Sequence, residues 1–270
     1  MAIKLIAIDI DATLLNSKRE LTPGVISAIK AASAAGIKVV LCSGRPITGV
    51  TPYLAPLGLA DQADQYAVTF GGGLVQTTAG NVLAQTQFQY ADYIQVEALA
   101  RQLNLHFHVE NADFLYTANR NISEYSVYES SLVNLNIAYR TPEEMRDIAL
   151  VKGMFIDKPA LLDAAMADMT PFKALSDRLT FVKSSPFFLE VSPKGVSKGA
   201  ALTKLAAELQ LDASEMMAIG DEQNDLSMIT LAGTGVAMGN ATDQVKAAAQ
   251  YISADNDHDG VAQAIQECAL

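Results

Sequence analysis

Short apolar runs that end in polar or glycine-rich corners, separated by alanine-rich stretches with helical spacing, constrain the fold of this 270-residue chain more than any other feature. Ile3 to Ile8 is the first run. Thr22-Pro23 then supplies an N-cap with proline in the first turn, and Val25, Ile26, Ile29 and Ala32 keep helical spacing as far as Gly36. Ile37 to Cys42 reads as a second strand, Ser43-Gly44-Arg45-Pro46 as the start of a helix, and Tyr66 to Phe70 as a third strand before Gly71-Gly72-Gly73. Such alternation predicts right-handed crossovers and a parallel sheet.

From about residue 82 the rhythm changes to two or three strand candidates per helix. Leu105 to Val109, Phe114 to Thr117 and Val151 to Ile156 read as strands, and residues 92–103, 120–133 and 159–169 as helices. That mixture predicts a separate α+β unit with an antiparallel sheet. Near Phe187 to Val191 the chain is expected to return to its first rhythm. A helix over 199–210, a strand Met216 to Ile219, a helix over 224–231, a strand Gly235 to Met238 and a helix from about 260 follow. The expected organisation is α/β: a core domain of residues 1–82 plus 188–270, with residues 83–187 inserted as a second domain.

Half of the residues are apolar, only 7% are aromatic and tryptophan is absent, which suits an α/β protein better than a sandwich. A formal net charge of −11 argues against a nucleic-acid backbone or an anionic membrane as partner. No obligate protein partner is evident. Cys42 and Cys268 lie at opposite ends of the chain without framework spacing, so a reducing compartment is expected, with Cys42 in the core. No apolar stretch approaches a membrane span, and a cytoplasmic location is the expectation.

Asp9 and Asp11 close the first apolar run, at the rim where open α/β sheets bind ligands. Residues i and i+2 of a strand share a face, and crowded carboxylates stay ionised only when a cation holds them. The pair alone is equally consistent with a solvated turn. Three further motifs break the tie: Ser43-Gly44-Arg45, Lys198-Gly199 at a helix start, and Gly220-Asp221-Glu222-Gln223-Asn224-Asp225 after a strand. Asp9, Asp11, Asp221 and Asp225 would bring four negative charges to one rim, which a divalent cation with oxygen ligands would organise. Lys198 supplies compensating positive charge. Ser43 and the N–H of Gly44, at a helix N-terminus, supply donors for phosphate oxygens.

With these motifs in this order, over essentially the whole chain, the sequence resembles the haloacid dehalogenase superfamily and, within it, the Cof-type sugar phosphatases. The resemblance implies a Rossmann-like core with an inserted α/β cap that covers the site and sets specificity, and a Mg2+-dependent phosphomonoester hydrolase acting on small phosphorylated metabolites, sugar phosphates first. It implies Asp9 as nucleophile and Asp11 as general acid and base. Mg2+ would be held by the carboxylates of Asp9 and Asp221 and the backbone carbonyl of Asp11. The phosphate would sit on the Ile10 amide, Ser43, Gly44, Lys198 and Asn224, with Asp225 behind the site and Thr13 orienting the loop around Asp11. Two departures from the usual family pattern stand out: Ala12 replaces a glycine, which requires a negative φ there, and Gly71-Gly72-Gly73 replaces Asn-Gly-Ala.

A phosphomutase using the same aspartyl phosphate and a non-catalytic phosphometabolite-binding protein are the alternatives. A receiver-type signalling protein needs its acceptor at the end of the third strand, where this chain has Phe70-Gly71. Asp255-Asn256-Asp257-His258-Asp259-Gly260 matches the first half of a calcium loop, but its twelfth position is Gln266. It reads better as a helix start, with Asp259 near the cap. His106 and His108 alternate on a strand without a third ligand and are expected on a polar patch or plain surface. Glu190 and His108 are candidate specificity residues. The methionines at 216, 217, 228 and 238 read as core.

Overall fold

The computed structural model describes residues 2–270. The chain begins β1 (Leu5–Asp9), α1 (Pro23–Ala34), β2 (Lys38–Cys42), α2 (Ile47–Leu57), β3 (Tyr66–Thr69), β4 (Leu74–Thr77) and β5 (Val82–Gln85). It continues α3 (Tyr90–Gln102), β6 (Phe107–Glu110), β7 (Phe114–Thr117), α4 (Glu124–Val133), β8 (Asn136–Tyr139), β9 (Lys152–Ile156), α5 (Pro159–Ala167), α6 (Thr170–Lys173), β10 (Leu179–Ser185) and β11 (Phe188–Pro193). The last segment is α7 (Lys198–Leu209), β12 (Met216–Gly220), α8 (Leu226–Leu231), β13 (Thr234–Ala237), α9 (Asp243–Ala248), β14 (Tyr251–Ile252) and α10 (Gly260–Cys268). Contacts divide it into two compact units, one running to Gln85 and resuming over Ser197–Leu270, the other Thr86–Val196.

The first unit holds an eight-stranded sheet in the order β14-β13-β12-β1-β2-β3-β4-β5. Every pair from β14 to β3 is parallel, and β4 and β5 add an antiparallel edge that the sequence pattern did not reveal. Strand order runs outward from β1 in both directions: β2 and β3 on one side, β12 to β14 on the other. The crevice at the carboxyl ends of β1 and β12 is therefore the topological switch point, where open α/β sheets take ligands. β1 is buried along its whole length, and the methionines 216, 217, 228 and 238 lie in the same core. Thr22 caps α1 by accepting a hydrogen bond from Val25 N–H at 3.2 Å, with Pro23 in the first turn. α2 starts at Ile47, later than the Ser43-Gly44 start expected from the sequence, because Pro46 holds an extended N-cap geometry.

The second unit is a six-stranded sheet, β10-β11-β9-β6-β7-β8, antiparallel except for the parallel pair β7–β8. β11 corrects the expectation that the chain rejoins the first sheet near residue 188. It pairs with β9 and β10, and Leu189 and Val191 pack in a core that includes Phe107, Phe155 and Phe172. The pattern of one apolar strand is indifferent to which sheet receives it. His108 is likewise not at the surface: it is fully buried, with Nδ1 3.2 Å from Ser126 Oγ and Nε2 3.3 Å from Glu110. Glu190 lies 3.5 Å from the Lys152 ammonium, and His106 Nδ1 lies 2.7 Å from Asp157. Among the described residues no helix is long and apolar enough to cross a membrane.

Candidate active site

The carboxyl end of β1 delivers Asp9 into the switch-point crevice, 6% exposed, and the end of β12 delivers Asp221 beside it. Asp225, fully buried in the short turn before α8, completes a group whose oxygens lie within 4.8 Å of one another. Lys198, the first residue of α7 and 1% exposed, ion-pairs with Asp9 and, at 2.6 Å, with Asp225. Desolvation of the ammonium opposes its charge, yet the two carboxylates outweigh it and hold Lys198 above the ordinary lysine range. Burial, then repulsion from Asp225, pushes the Asp9 carboxyl well above the usual carboxylate range. Burial likewise raises Asp221, to about 6, against the opposing hydrogen bond from Thr13.

Glycines set how closely the lysine-bearing helix approaches. A Cβ on Gly199 would run into the Ser227 carbonyl on α8, and Gly199 N–H donates to Ser227 Oγ at 3.0 Å. Gly72, at φ +107°, lies against the Ser197 carbonyl in the same way. Of the Gly71-Gly72-Gly73 run, the middle residue is thus required by packing, whereas a Cβ on Gly71 would meet open space. Ser197 caps α7 by accepting from Ala200 N–H at 3.1 Å.

The donor set fits a hard divalent cation. Asp225 is fully committed: one oxygen meets Lys198, the other accepts from Asp221 N–H at 3.0 Å and Glu222 N–H at 3.1 Å. One oxygen of Asp9 meets Lys198 and one of Asp221 accepts from Thr13 Oγ1 at 2.7 Å, leaving each with a second oxygen for a metal. An all-oxygen set with two carboxylates is the Mg2+ and Ca2+ type.

Asp11 does not join this group, which corrects the expectation of four carboxylates on one rim. The strand ends at Asp9, and the chain enters one wide turn, Ile10–Leu14, closed by Leu15 N–H donating to Ile10 O at 3.1 Å. The two-residue alternation of a strand stops there. The Asp11 side chain is half-exposed and both its oxygens are gripped by Arg45, the Nε bond being 3.0 Å. Arg45 itself is braced by Tyr53 Oη at 3.2 Å. Ala12 adopts φ +60°, ψ +10°, the left-handed conformation, contrary to the negative φ expected for alanine. A Cβ there costs about 1–2 kcal/mol, so the surroundings hold it. Thr13 is 1% exposed and ties the turn to Asp221, not to Asp11.

The remaining sequence candidates fall around the same crevice. Ile10 is buried at the start of the turn; Ser43 is 2% exposed at the end of β2, its Oγ accepting from Arg45 N–H at 3.2 Å. A Cβ at Gly44 would meet nothing within 4 Å, so the backbone there faces open space. Asn224 is exposed in the turn between Asp221 and Asp225. Arg45 stood in a motif without a role of its own, and Tyr53, eight residues on, gives no signal without the helix. The calcium-like stretch spends its groups on structure: Asp257 accepts from Ser17 N–H at 2.9 Å, Asp259 bonds the Thr22 hydroxyl, and Asp255 accepts from Asp257 N–H at 3.0 Å. Asp259 occupies the α10 N-cap position at φ +57° without a side-chain cap.

The profile of the haloacid dehalogenase-like hydrolases matches residues 6–265. The chain belongs to the haloacid dehalogenase-like hydrolase family. It is 45% identical over 271 residues, covering 100% of both chains, to a protein of Streptococcus pyogenes serotype M6 provisionally named a phosphatase. It is 33% identical, over 99% of this chain and 96% of the other, to a Bacillus subtilis protein named 5-amino-6-(5-phospho-D-ribitylamino)uracil phosphatase. A haloacid dehalogenase-like hydrolase from Bacteroides thetaiotaomicron superposes with a TM-score of 0.86 at 31% identity, covering 98% of each chain.

Proposed function

We propose that this hydrolase is a Mg2+-dependent phosphatase of small phosphorylated metabolites, with sugar and polyol phosphates as the leading class. The observation that carries this reading is the buried Asp9 carboxylate at the end of β1, paired through one oxygen to the buried Lys198 and grouped with Asp221 and Asp225. Asp9 attacks phosphorus in line; the ester P–O bond breaks, and the departing oxygen takes a proton from Asp11. Water then gives its proton to Asp11 and attacks the aspartyl phosphate, releasing orthophosphate and restoring Asp9. Lys198, Ser43, the Gly44 and Ile10 amides and Asn224 hold the phosphate oxygens, and Asp11 leaves its Arg45 pair when it takes up the acid-base role. Asp9, Asp221 and the Asp11 carbonyl would hold Mg2+, which when bound neutralises charge on the phosphoryl group. The Bacillus subtilis relative, named for a ribityl phosphate, supports a polyol or sugar ester as substrate.

Turnover of p-nitrophenyl phosphate tests the assignment. Asp9→Asn is expected to abolish it while hydrogen-exchange protection of the β1 amides stays at the wild-type level, and EDTA to silence the wild type. An Asp9→Asn protein that hydrolyses the ester at the wild-type rate overturns the reading. A panel of sugar phosphates, polyol phosphates and nucleotides, read as released phosphate, then ranks the substrate class.

A further inference from the structure

The wide turn that carries Asp11 is stapled from the far end of the chain by two side-chain amides. Asn240 Nδ2 donates to the Ala12 carbonyl at 2.8 Å, and Asn256 Nδ2 donates to the Leu15 carbonyl at 2.9 Å. The two are themselves joined, since Asn240 Oδ1 accepts from Asn256 N–H at 3.1 Å. The segment bearing Asn240 is fixed to the other wall of the crevice: Met238 N–H donates to Gly220 O at 3.0 Å, and Thr242 N–H to Asp221 O at 3.0 Å. Asn240 thus links the end of β12, where Asp221 sits, to the peptide immediately after Asp11. That peptide is the one whose alanine stands at φ +60°. An alanine left to itself avoids this region because its Cβ crowds the following carbonyl, whereas glycine enters it freely.

We propose that Asn240 is a positioning residue for the hydrolysis: by holding the Ala12 carbonyl it keeps the left-handed peptide that follows Asp11 and so fixes where the Asp11 backbone sits. The inference rests on Asp11 being the acid and base of the proposed reaction. Asn240 touches neither substrate nor metal in this assignment. It acts through backbone geometry, and displacement of a catalytic group by about 1 Å can slow turnover about 100-fold. The chain needs the staple because residue 12 is alanine.

A double-mutant cycle between positions 12 and 240 tests this. Asn240→Ala in the wild-type background is expected to lower kcat about tenfold, with KM for p-nitrophenyl phosphate within about twofold of its wild-type value. The same substitution in the Ala12→Gly background is expected to cost only about twofold, because glycine enters the conformation without strain. Equal losses in the two backgrounds, or no loss in either, overturn the proposal. The 13C chemical shifts of Ala12, identified by the resonance lost in Ala12→Gly, give an answer independent of turnover. They report the left-handed backbone in the wild type and are expected to lose that signature in Asn240→Ala. Unchanged shifts overturn the proposal, whereas a wild type that hydrolyses no phosphate ester overturns the assigned activity and leaves the staple to be judged by the shifts.

Discussion

Replacing Lys198 with methionine removes the one cation inside a group of three buried carboxylates while keeping nearly the same apolar stem. Lys198 is 1% exposed and pairs with Asp9 and Asp225, themselves 6% and 0% exposed. Taking one partner from a buried ion pair costs about 3–5 kcal/mol, chiefly because charge is left behind without compensation. Methionine fills the space, so the cavity contribution stays below about 1.5 kcal/mol. The loss at pH 7.5 in EDTA is therefore set at about 3–5 kcal/mol, roughly a fifth or more of the stability of an ordinary domain. It depends on pH with a definite sign. Without the lysine, Asp9 loses the attraction that opposes its burial, and its folded pKa moves further above the unfolded value of 3.8. A folded state that holds extra protons loses stability as pH rises, so the deficit shrinks on acidification. Native-state hydrogen exchange at the β1 amides reports the free energy of opening for this unit alone. A deficit below about 1 kcal/mol at pH 7.5, or one equal at pH 7.5 and pH 5, would refute the reasoning.

Three other outcomes follow from the structure. Asp221 titrates near 6 and Asp9 well above its usual range, so a divalent cation must displace protons to bind. Mg2+ affinity is expected to rise with pH through about 6, with protons released on binding near pH 5.5, both measurable by isothermal calorimetry in buffers of different ionisation enthalpy; affinity independent of pH between 5 and 8 would contradict this. Without metal the same raised groups act oppositely on folding: stability falls as pH climbs from 3.8 through about 6. Cys42 is fully buried, and burial pushes its thiol up to about 12, so a disulfide reagent at pH 8 should titrate only the half-buried Cys268 until urea exposes a second equivalent.

Much of this was legible in sequence because local rules suffice where elements are short and regular. The N-cap at Thr22, the helix opening at Lys198 and the buried run before Asp9 each follow from a few adjacent residues, and the structure has them in those places. Local rules fail where chain segments meet. β11 carries an apolar alternation that fits either sheet, and only the competing partners β9 and β10 decide its place. Asp11 looks like a continuation of Asp9 until the strand stops and the chain turns, after which its side chain goes to Arg45. The φ of Ala12 is likewise invisible locally, because what tolerates it is an amide 228 residues away.

The sequence by itself determined the alternation of strands and helices, the burial of β1 and the four polar corners where chemistry gathers, since each depends on residue type and spacing over one element. Tertiary structure alone decided which of those polar groups share a cavity and which are spent on one another. Three carboxylates surround one lysine because β1, β12 and α7 converge at the switch point, and Asp11 stands apart because the strand ends at Asp9 and its side chain pairs with Arg45. The reason is physical: hydrogen bonds and contact ion pairs need their atoms within about 3–4 Å, whereas the residues that make them here are separated by 189 and 208 positions in the chain.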